Sequence, residues 1–135
     1  ISACSIGAAQ SALDAATTYV QERKAFGRTL DQFQALQFKL ADCEIELQAA
    51  RTFLRHAAWA NDTSQPDATK RSAMAKAFVT EAASRVADTC LQLHGGYGYL
   101  ADYGIEKIVR DLRVHRILEG TNEIMRLIVA RSLLS

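Results

Sequence analysis

Three long runs of apolar residues, spaced three or four positions apart, restrict the fold of this chain more than any other feature. Such spacing places the side chains of each run on one face of an α-helix. The first run is Ile6, Ala9, Leu13, Ala16 and Val20. The second run is Leu36, Leu40, Cys43, Leu47, Ala50, Leu54 and Ala57. The third run is Ala75, Phe78, Ala82, Val86, Thr89 and Leu93. We therefore predict three helices of about 24 to 30 residues each.

Turn residues set the boundaries of these helices. We predict the first helix over residues 2–25, a short loop at 27–31, and a second helix that ends near Asn61. A polar turn at 62–67 contains the single proline, and His94-Gly95-Gly96 is a typical helix C-cap. Long helices joined by short loops lie antiparallel. No segment alternates apolar and polar residues over the length of a strand, so we expect no sheet.

Two shorter helices complete the predicted architecture. Residues 102–112 form an amphipathic pattern, residues 114–120 look extended or irregular, and residues 121–134 form a final helix. We expect an all-α fold, an up-down four-helix bundle with an extra short helix, in one domain over residues 1–135. The second helix also carries apolar residues on another side, so we expect it to contact neighbours on two faces.

Composition argues against several classes of function. Sixteen Lys and Arg against fifteen Asp and Glu give a net charge of +1, which favours neither a nucleic-acid partner nor a membrane surface. No apolar run approaches the ~20 residues of a membrane span. The chain begins at Ile1 without a methionine, signal peptide or transit segment, so we expect a piece of a longer protein. Cys4, Cys43 and Cys90 lack metal-site spacing and are interpreted as reduced core thiols, with no metal site.

The stretch 113–126 contains the strongest candidate for chemistry. Glu119 follows Ile117 and Leu118 and precedes Ile124, and burial among apolar residues raises the pKa of a carboxylate toward the range of a general base. Gly120 lets a ligand approach the backbone closely. The next three residues, Thr121 to Glu123, come close to a capping box for the final helix. The alternative is a surface glutamate in front of an N-capped helix.

Three other segments are candidates for ligand contacts or ion pairs. Arg23-Lys24-Ala25-Phe26-Gly27 provides either a cation at a helix C-terminus or a phosphate clamp. Gln92-Leu93-His94-Gly95-Gly96-Tyr97-Gly98 has more glycine than one C-cap needs, and its N–H groups suit an anion or a planar ring. It is not a GxGxxG motif after a strand, which excludes the Rossmann interpretation. Arg110-Asp111-Leu112-Arg113 is typical of an ion-pair network that fixes a turn.

Taken in order, these motifs resemble the C-terminal helical domain of the acyl-CoA dehydrogenases. The motifs are Arg-x-x-Phe-Gly at 23–27, Gln34, Gln-x-x-Gly-Gly-x-Gly at 92–98, Arg-Asp at 110–111 and Glu-Gly-Thr-Asn-Glu at 119–123. Each motif alone is weak, but the ordered set covers essentially the whole chain. Within the family, the runs at 91–100 and 113–126 are most similar to the short-chain and branched-chain members, isobutyryl-CoA dehydrogenase among them.

The resemblance implies a role for each site residue. Glu119 matches the base that takes the α-proton of an acyl-CoA, and the backbone N–H of Gly120 matches a donor to the thioester carbonyl. FAD is implied as the acceptor of the β-hydride, with a 2-enoyl-CoA as product. Thr121, Asn122 and Glu123 match positions beside the flavin, and Arg131 matches a position near the substrate. The residues that match contacts to the FAD of a neighbouring subunit are Arg23, Phe26, Phe33, Gln34, Gln92, Leu93, His94, Gly95 and Gly96.

The resemblance also implies partners and further domains. Family members add an N-terminal helical domain and a middle β-domain, assemble as homotetramers (dimers of dimers), and pass electrons to electron-transferring flavoprotein. We therefore expect the 135 residues alone to self-associate and to be catalytically inactive. For the whole protein we expect the bacterial cytoplasm or the mitochondrial matrix. Two alternatives stay open: a non-catalytic helical oligomerisation module, and a relative of the acyl-CoA oxidases.

Overall fold

A computed structural model describes residues 1–134, most of which are helical. The five α-helices are α1 (Ser2–Glu22), α2 (Gln34–Asp62), α3 (Ala68–His94), α4 (Ile105–His115) and α5 (Asn122–Leu134). Short 3₁₀ turns cover Leu30–Gln32, Gly95–Tyr99 and Ala101–Tyr103. Ser135, the last residue of the expected domain, lies outside the described residues. The prediction of an all-α fold is confirmed.

The first four helices run alternately up and down the bundle. Tyr19 near the end of α1 stacks on His94 at the end of α3, so these two helices are parallel. Arg85 of α3 forms a salt bridge with Glu46 of α2, and α2 runs antiparallel to α1 and α3. Ser5 at the start of α1 hydrogen-bonds the ring of His115 at the end of α4, so α4 runs down. This arrangement is the predicted up-down bundle, and α5 packs on α3 as the extra helix.

Helix α3 lies at the centre of the bundle, because it contacts each of the other four α-helices. Its buried face is rich in alanine, which lets neighbouring helices approach closely. The largest apolar side chains that are fully buried are Leu47, Ile105 and Leu112, all at most 1% exposed. Phe78, expected in the same core run, is instead 39% exposed and pairs with Phe53 of α2. No helix within residues 1–134 is long and apolar enough to cross a membrane.

The loop after α1 contains a small β-hairpin, contrary to the expectation of no sheet. β1 (Lys24–Ala25) pairs antiparallel with β2 (Arg28–Thr29). The two residues between them, Phe26 and Gly27, have φ angles of 52° and 81°. Positive φ at both central residues defines the two-residue turn that matches the twist of a hairpin. Because β1 needs extended backbone, α1 ends at Glu22, earlier than predicted.

Two predictions around α4 are corrected. The helix expected at 102–112 begins at Ile105, because a 3₁₀ turn ends at Gly104 with a left-handed φ of 70°. Asp111 pairs with Lys107 one turn earlier on the same helix, not with the neighbouring arginines. The four residues at 110–113 therefore do not form the predicted ion-pair network around a turn.

The three cysteines divide into one exposed and two buried thiols. Cys4 is exposed on α1, so the prediction of a core thiol is wrong at this position. Cys43 of α2 and Cys90 of α3 are both buried. The interaction between the two thiols lowers the pKa of Cys43 and, together with burial, raises that of Cys90. Both thiols are free, as expected for reduced core cysteines.

Candidate functional site

A pocket of about 500 Å³ lies where the C-terminal ends of α1 and α3 meet. This volume is typical of small-molecule sites. Residues predicted to contact a cofactor line much of it: Arg23, Gln92, Leu93, His94, Gly95 and Gly96. The rest of the lining is Tyr19, Ala25, Leu30, Leu36, Tyr97 and Leu100. The fold thus brings together two candidate motifs that lie far apart in the sequence.

Aromatic rings form one wall of this pocket. His94 is buried, and its ring stacks on Tyr19 with the centroids 4.4 Å apart. Its Nδ1 lies 2.8 Å from the carbonyl oxygen of Cys90, and because a carbonyl only accepts, Nδ1 carries the proton. Tyr103 meets both rings edge-on, at 6.1 Å and 6.2 Å. These contacts fix His94 as part of the wall.

Arg23 is the cation of the pocket. Its guanidinium carbon lies 5.0 Å from the centroid of the Tyr97 ring, within cation–π distance. Its backbone N–H donates to the carbonyl of Tyr19 and closes the last turn of α1. Within residues 1–134 the Arg23 side chain makes no salt bridge. Its charge is therefore available to an anionic ligand such as a phosphate.

The glycines after α3 serve two different purposes. A Cβ added to Gly95 or Gly96 would meet no atom within 4 Å, so both leave open space on the pocket side. Gly98 is buried, and a Cβ there would lie 2.7 Å from the carbonyl oxygen of Leu91 and 2.8 Å from the Cβ of His94. The first two glycines keep the pocket open, whereas Gly98 permits close packing against the end of α3.

Three predicted cofactor contacts lie beside this pocket and do not line it. Phe26 at the tip of the hairpin is 94% exposed. Its ring meets the edge of the Phe33 ring, with centroids 6.3 Å apart, and the guanidinium carbon of Arg28 lies 3.9 Å from the Phe33 centroid. Gln34 is exposed at the first position of α2. The hairpin therefore presents an aromatic surface to solvent next to the pocket.

The second group of predicted residues surrounds the turn between α4 and α5. The Glu119 side chain is 66% exposed, and Ile117, Leu118 and Ile124 are also about half exposed. The prediction that this carboxylate is buried is therefore wrong for residues 1–134, because a turn between two helices does not enclose the side chain. Its Oε2 lies 3.1 Å from the amino nitrogen of Ile1, so the start of α1 lies beside the candidate base.

Backbone geometry distinguishes this turn from an ordinary connection. Glu119 and Gly120 have φ angles of 54° and 88°, and a positive φ is unfavourable for a residue other than glycine. Among residues 1–134, neither of their backbone N–H groups has a hydrogen-bond acceptor. Thr121 accepts a hydrogen bond from the N–H of Ile124 at 3.4 Å and caps α5, as predicted. Glu123 is exposed in the first turn of α5, where hydrogen bonds from its own N–H and from Thr121 lower its pKa.

A buried polar network beneath the turn was not predicted. Lys76 of α3 is only 8% exposed, and its Nζ donates to the Gly120 carbonyl at 2.7 Å and to Asn122 Oδ1 at 2.8 Å. Burial lowers the pKa of Lys76, and nearby carboxylates oppose that shift. Asn122, predicted only as a cofactor contact, is 1% exposed and donates to Thr80 Oγ1 at 3.0 Å and to Glu81 Oε1 at 3.1 Å. In the sequence, this network is indicated only by a lysine at one of the buried positions of α3.

Glu81 connects this network to α4. Arg116 donates to its Oε2 at 2.6 Å, and the backbone carbonyl of Arg116 accepts the N–H of Asn122 at 3.0 Å. Burial alone raises the pKa of Glu81, but the hydrogen bonds from Arg116 and Asn122 outweigh it, and the net pKa lies below its usual value. The end of α4, the start of α5 and the middle of α3 are therefore joined by buried or half-buried polar contacts.

The pocket and the Glu119 turn are far apart within one chain. Lys76 beneath the turn and His94 in the pocket are separated by 18 positions on α3, or about 27 Å along the helix axis. Arg131 is exposed near the end of α5 and lines neither place. Within residues 1–134, no three His, Cys, Asp or Glu residues cluster in a way that would hold a metal ion.

Comparison with known proteins gives a consistent result. Residues 1–134 match the family model described as acyl-CoA dehydrogenase, C-terminal domain. A mitochondrial isobutyryl-CoA dehydrogenase of Dictyostelium discoideum is 52% identical over 133 residues, which cover 98% of this chain and 32% of that protein. A probable acyl-CoA dehydrogenase of Bacillus subtilis, YngJ, is 48% identical over 134 residues, which cover 99% of this chain and 35% of that protein.

A solved structure agrees with these matches. The structure of butyryl-CoA dehydrogenase from Megasphaera elsdenii superposes with a TM-score of 0.95 at 35% identity, covering 99% of this chain and 35% of that one. The chain therefore spans about a third of the length of the relatives that it matches.

Proposed function

Because this chain belongs to the acyl-CoA dehydrogenase family, in which it matches the C-terminal domain, we propose that the whole protein oxidises a short or branched acyl-CoA to a 2-enoyl-CoA. The relatives named for isobutyryl-CoA and butyryl-CoA support this substrate class. The observation that carries the proposal is the Glu119–Gly120 turn, where an exposed carboxylate lies beside two backbone N–H groups that have no acceptor within residues 1–134.

In this proposal the turn performs proton abstraction. Glu119 takes the α-proton as a general base, and the electron pair moves toward the thioester oxygen. The backbone N–H of Gly120 donates to this oxygen and stabilises the negative charge that develops there. Both groups belong to adjacent residues of a single turn, so one bound thioester can meet them together.

Bound FAD supplies the acceptor for the β-hydride. The residues of the 500 Å³ pocket fit part of such a cofactor. Arg23 offers a phosphate a guanidinium that makes no salt bridge within residues 1–134, and the Tyr19–His94 stack offers a flat wall for a ring. Gly95 and Gly96 keep this space free of side chains. The exposed Phe26 and the partly buried Phe33 extend the aromatic surface beyond the pocket.

The separation of about 27 Å along α3 supports a two-subunit arrangement. We infer that the pocket of one subunit holds the FAD whose substrate faces Glu119 of another subunit. Thr121 and Glu123 then contact the flavin of their own subunit, and Arg131 lies toward the substrate side of α5. In this arrangement no single subunit completes the flavin site, and the two groups of predicted residues belong to two different flavin sites.

Self-association of the bundle follows from the same proposal. Phe38, Ile45 and Trp59 on α2 are each at least half exposed, and exposed apolar surface of this kind favours contact with another copy. We expect the 135-residue chain to have a mass above 14.8 kDa by light scattering. A strict monomer at micromolar concentrations would refute assembly through this domain and leave Glu119 as base unaffected.

The central experiment replaces Glu119 by Gln in the whole protein. Glutamine has a similar shape and does not accept the proton, so anaerobic bleaching of the flavin by isobutyryl-CoA is expected to slow by about 10²–10⁴-fold, while FAD is retained. Glu44→Gln, an exposed substitution on α2, is the matched control and is expected to bleach at the normal rate. Near-normal bleaching by Glu119→Gln would refute the assignment of the base.

The same experiment separates the two alternatives. A non-catalytic helical module leaves the flavin unbleached in the unaltered protein as well. An oxidase-type relative bleaches normally but is reoxidised rapidly by oxygen, whereas the proposed dehydrogenase passes its electrons to electron-transferring flavoprotein.

A further inference from the structure

The polar network on α3 reaches the backbone of the turn that carries the proposed base. Lys76 reaches the turn from below, and its Nζ donates to the Gly120 carbonyl at 2.7 Å and to Asn122 Oδ1 at 2.8 Å. A lysine that is only 8% exposed is unusual unless its charge is compensated, and here two oxygens and the surrounding carboxylates compensate it. Both acceptors belong to residues within three positions of Glu119.

The turn needs such an anchor. Glu119 and Gly120 have successive left-handed φ angles, and strained backbone of this kind persists only where its surroundings hold it. On the α4 side, carbonyls of Val114 and Arg116 accept N–H groups of Ile117, Leu118 and Asn122. On the α3 side, the Lys76 ammonium makes the one hydrogen bond within residues 1–134 that reaches the backbone carbonyl of Gly120.

Resting on the proposed function, we propose that Lys76 is a positioning residue for the catalytic turn. Its ammonium holds the Gly120 peptide against α3. This contact fixes the direction of the adjacent N–H groups and of the Glu119 side chain. Asn122 transmits the same constraint, since it bonds Lys76 on one side and Thr80 and Glu81 on the other. Lys76 itself does not touch the substrate in this arrangement.

The test uses the whole protein with FAD bound and the substitution Lys76→Met, which retains chain length and removes the ammonium. Two rates are measured. The first is anaerobic flavin reduction by isobutyryl-CoA, which needs both proton and hydride transfer. The second is α-proton exchange of acetyl-CoA in D₂O, which has no β-hydrogen and therefore reports on the base and its N–H partners alone. A misplacement of about 1 Å costs about 100-fold in rate.

We expect both rates to fall in parallel by about 10- to 100-fold, with the dissociation constant for acyl-CoA and the flavin content nearly unchanged. Lys39→Met, at an exposed position of α2, is the matched control and is expected to leave both rates unchanged. Lys76→Arg retains a cation and is expected to recover part of each rate. A drop in flavin reduction with normal α-proton exchange would overturn the proposal, because the base would then be correctly placed.

Stability separates positioning from a purely structural role. If Lys76→Met folds and both rates stay within twofold of normal, the proposal is wrong. If neither Lys76→Met nor Lys76→Arg folds, Lys76 is a structural residue and the proposal is equally overturned. Glu119→Gln is measured in the same assay. Normal α-proton exchange in Glu119→Gln would refute the assignment of the base. If Glu119→Gln loses exchange but Lys76→Met exchanges normally, only the role of Lys76 is refuted.

Discussion

Gly98 provides the sharpest test of how the pocket is built. A Cβ at this position would lie 2.7 Å from the carbonyl oxygen of Leu91 and 2.8 Å from the Cβ of His94. Neither atom is the end of a flexible side chain, because one belongs to the backbone of α3 and the other is fixed to it. The substitution Gly98→Ala therefore requires the end of α3 or the following 3₁₀ turn to shift.

The expected loss of stability follows from these two contacts. Overpacking a close-packed site costs about 1–3 kcal/mol. Replacing glycine also reduces the entropy of the unfolded chain, which offsets about 0.4–1 kcal/mol. The midpoints of these ranges leave a net destabilisation of about 1.3 kcal/mol, which lowers the melting temperature by roughly 4–7 °C at this chain length.

Gly96→Ala is the matched control in the same turn. A Cβ at Gly96 meets no atom within 4 Å, so its stability is expected to stay within about 0.5 kcal/mol of the starting protein. Urea unfolding followed by far-ultraviolet circular dichroism compares the two variants of the 135-residue chain at equal concentration. If Gly98→Ala proves as stable as Gly96→Ala, the close packing of this turn against α3 is not rigid, and the reasoning fails.

Two further predictions concern charge. In the whole protein, Arg23→Ala is expected to weaken FAD retention by more than tenfold while the melting temperature of the FAD-free protein stays unchanged, because a guanidinium that makes no salt bridge within residues 1–134 is free to donate a charge-assisted bond to a phosphate. Arg55→Ala is the control, and normal FAD affinity in Arg23→Ala would leave Arg23 as a helix-end cation only. Because the pKa of Glu81 is lowered on folding, its contribution to stability is present above the unfolded pKa of about 4.5 and is lost as pH falls below it. Glu81→Gln should therefore reduce stability at pH 7 and make stability fall less steeply as the pH drops below about 4.5, whereas a decline as steep as in Glu44→Gln would contradict this.

Most of the fold was predictable because it depends on periodicity within single helices. The ends of α2 and α3 and the order of five helices follow from apolar spacing, a polar turn and a glycine C-cap. The hairpin at 24–29 was missed because two-residue strands show no alternation, and its turn places Phe26 in a conformation that favours glycine or asparagine. The early end of α1 at Glu22 is a consequence of that hairpin.

The sequence motifs predicted which residues belong to the candidate site, but not how deeply each of them is buried. Arg23 and the segment from Gln92 to Gly96 meet in one pocket as neighbouring helix ends, which an up-down bundle brings together. The burial predicted for Glu119 was wrong, because apolar neighbours in sequence bury a side chain only where another element covers them. Within residues 1–134, Ile117 and Leu118 stay about half exposed, and the carboxylate is exposed with them.

Lys76 shows where reading one helix at a time fails. On α3 it occupies a buried position between alanines and Val79, where a lysine breaks the apolar pattern without revealing its partners. Those partners, the Gly120 carbonyl and Asn122, lie more than forty residues later and reach Lys76 only because α5 folds back across α3. A buried charge is retained where oxygens surround it, so a lysine on the apolar face of a helix predicts a polar contact from another element. In this chain Lys76 contacts the turn that carries the proposed base, so the packing of α5 on α3 also determines where Glu119 and the Gly120 N–H lie.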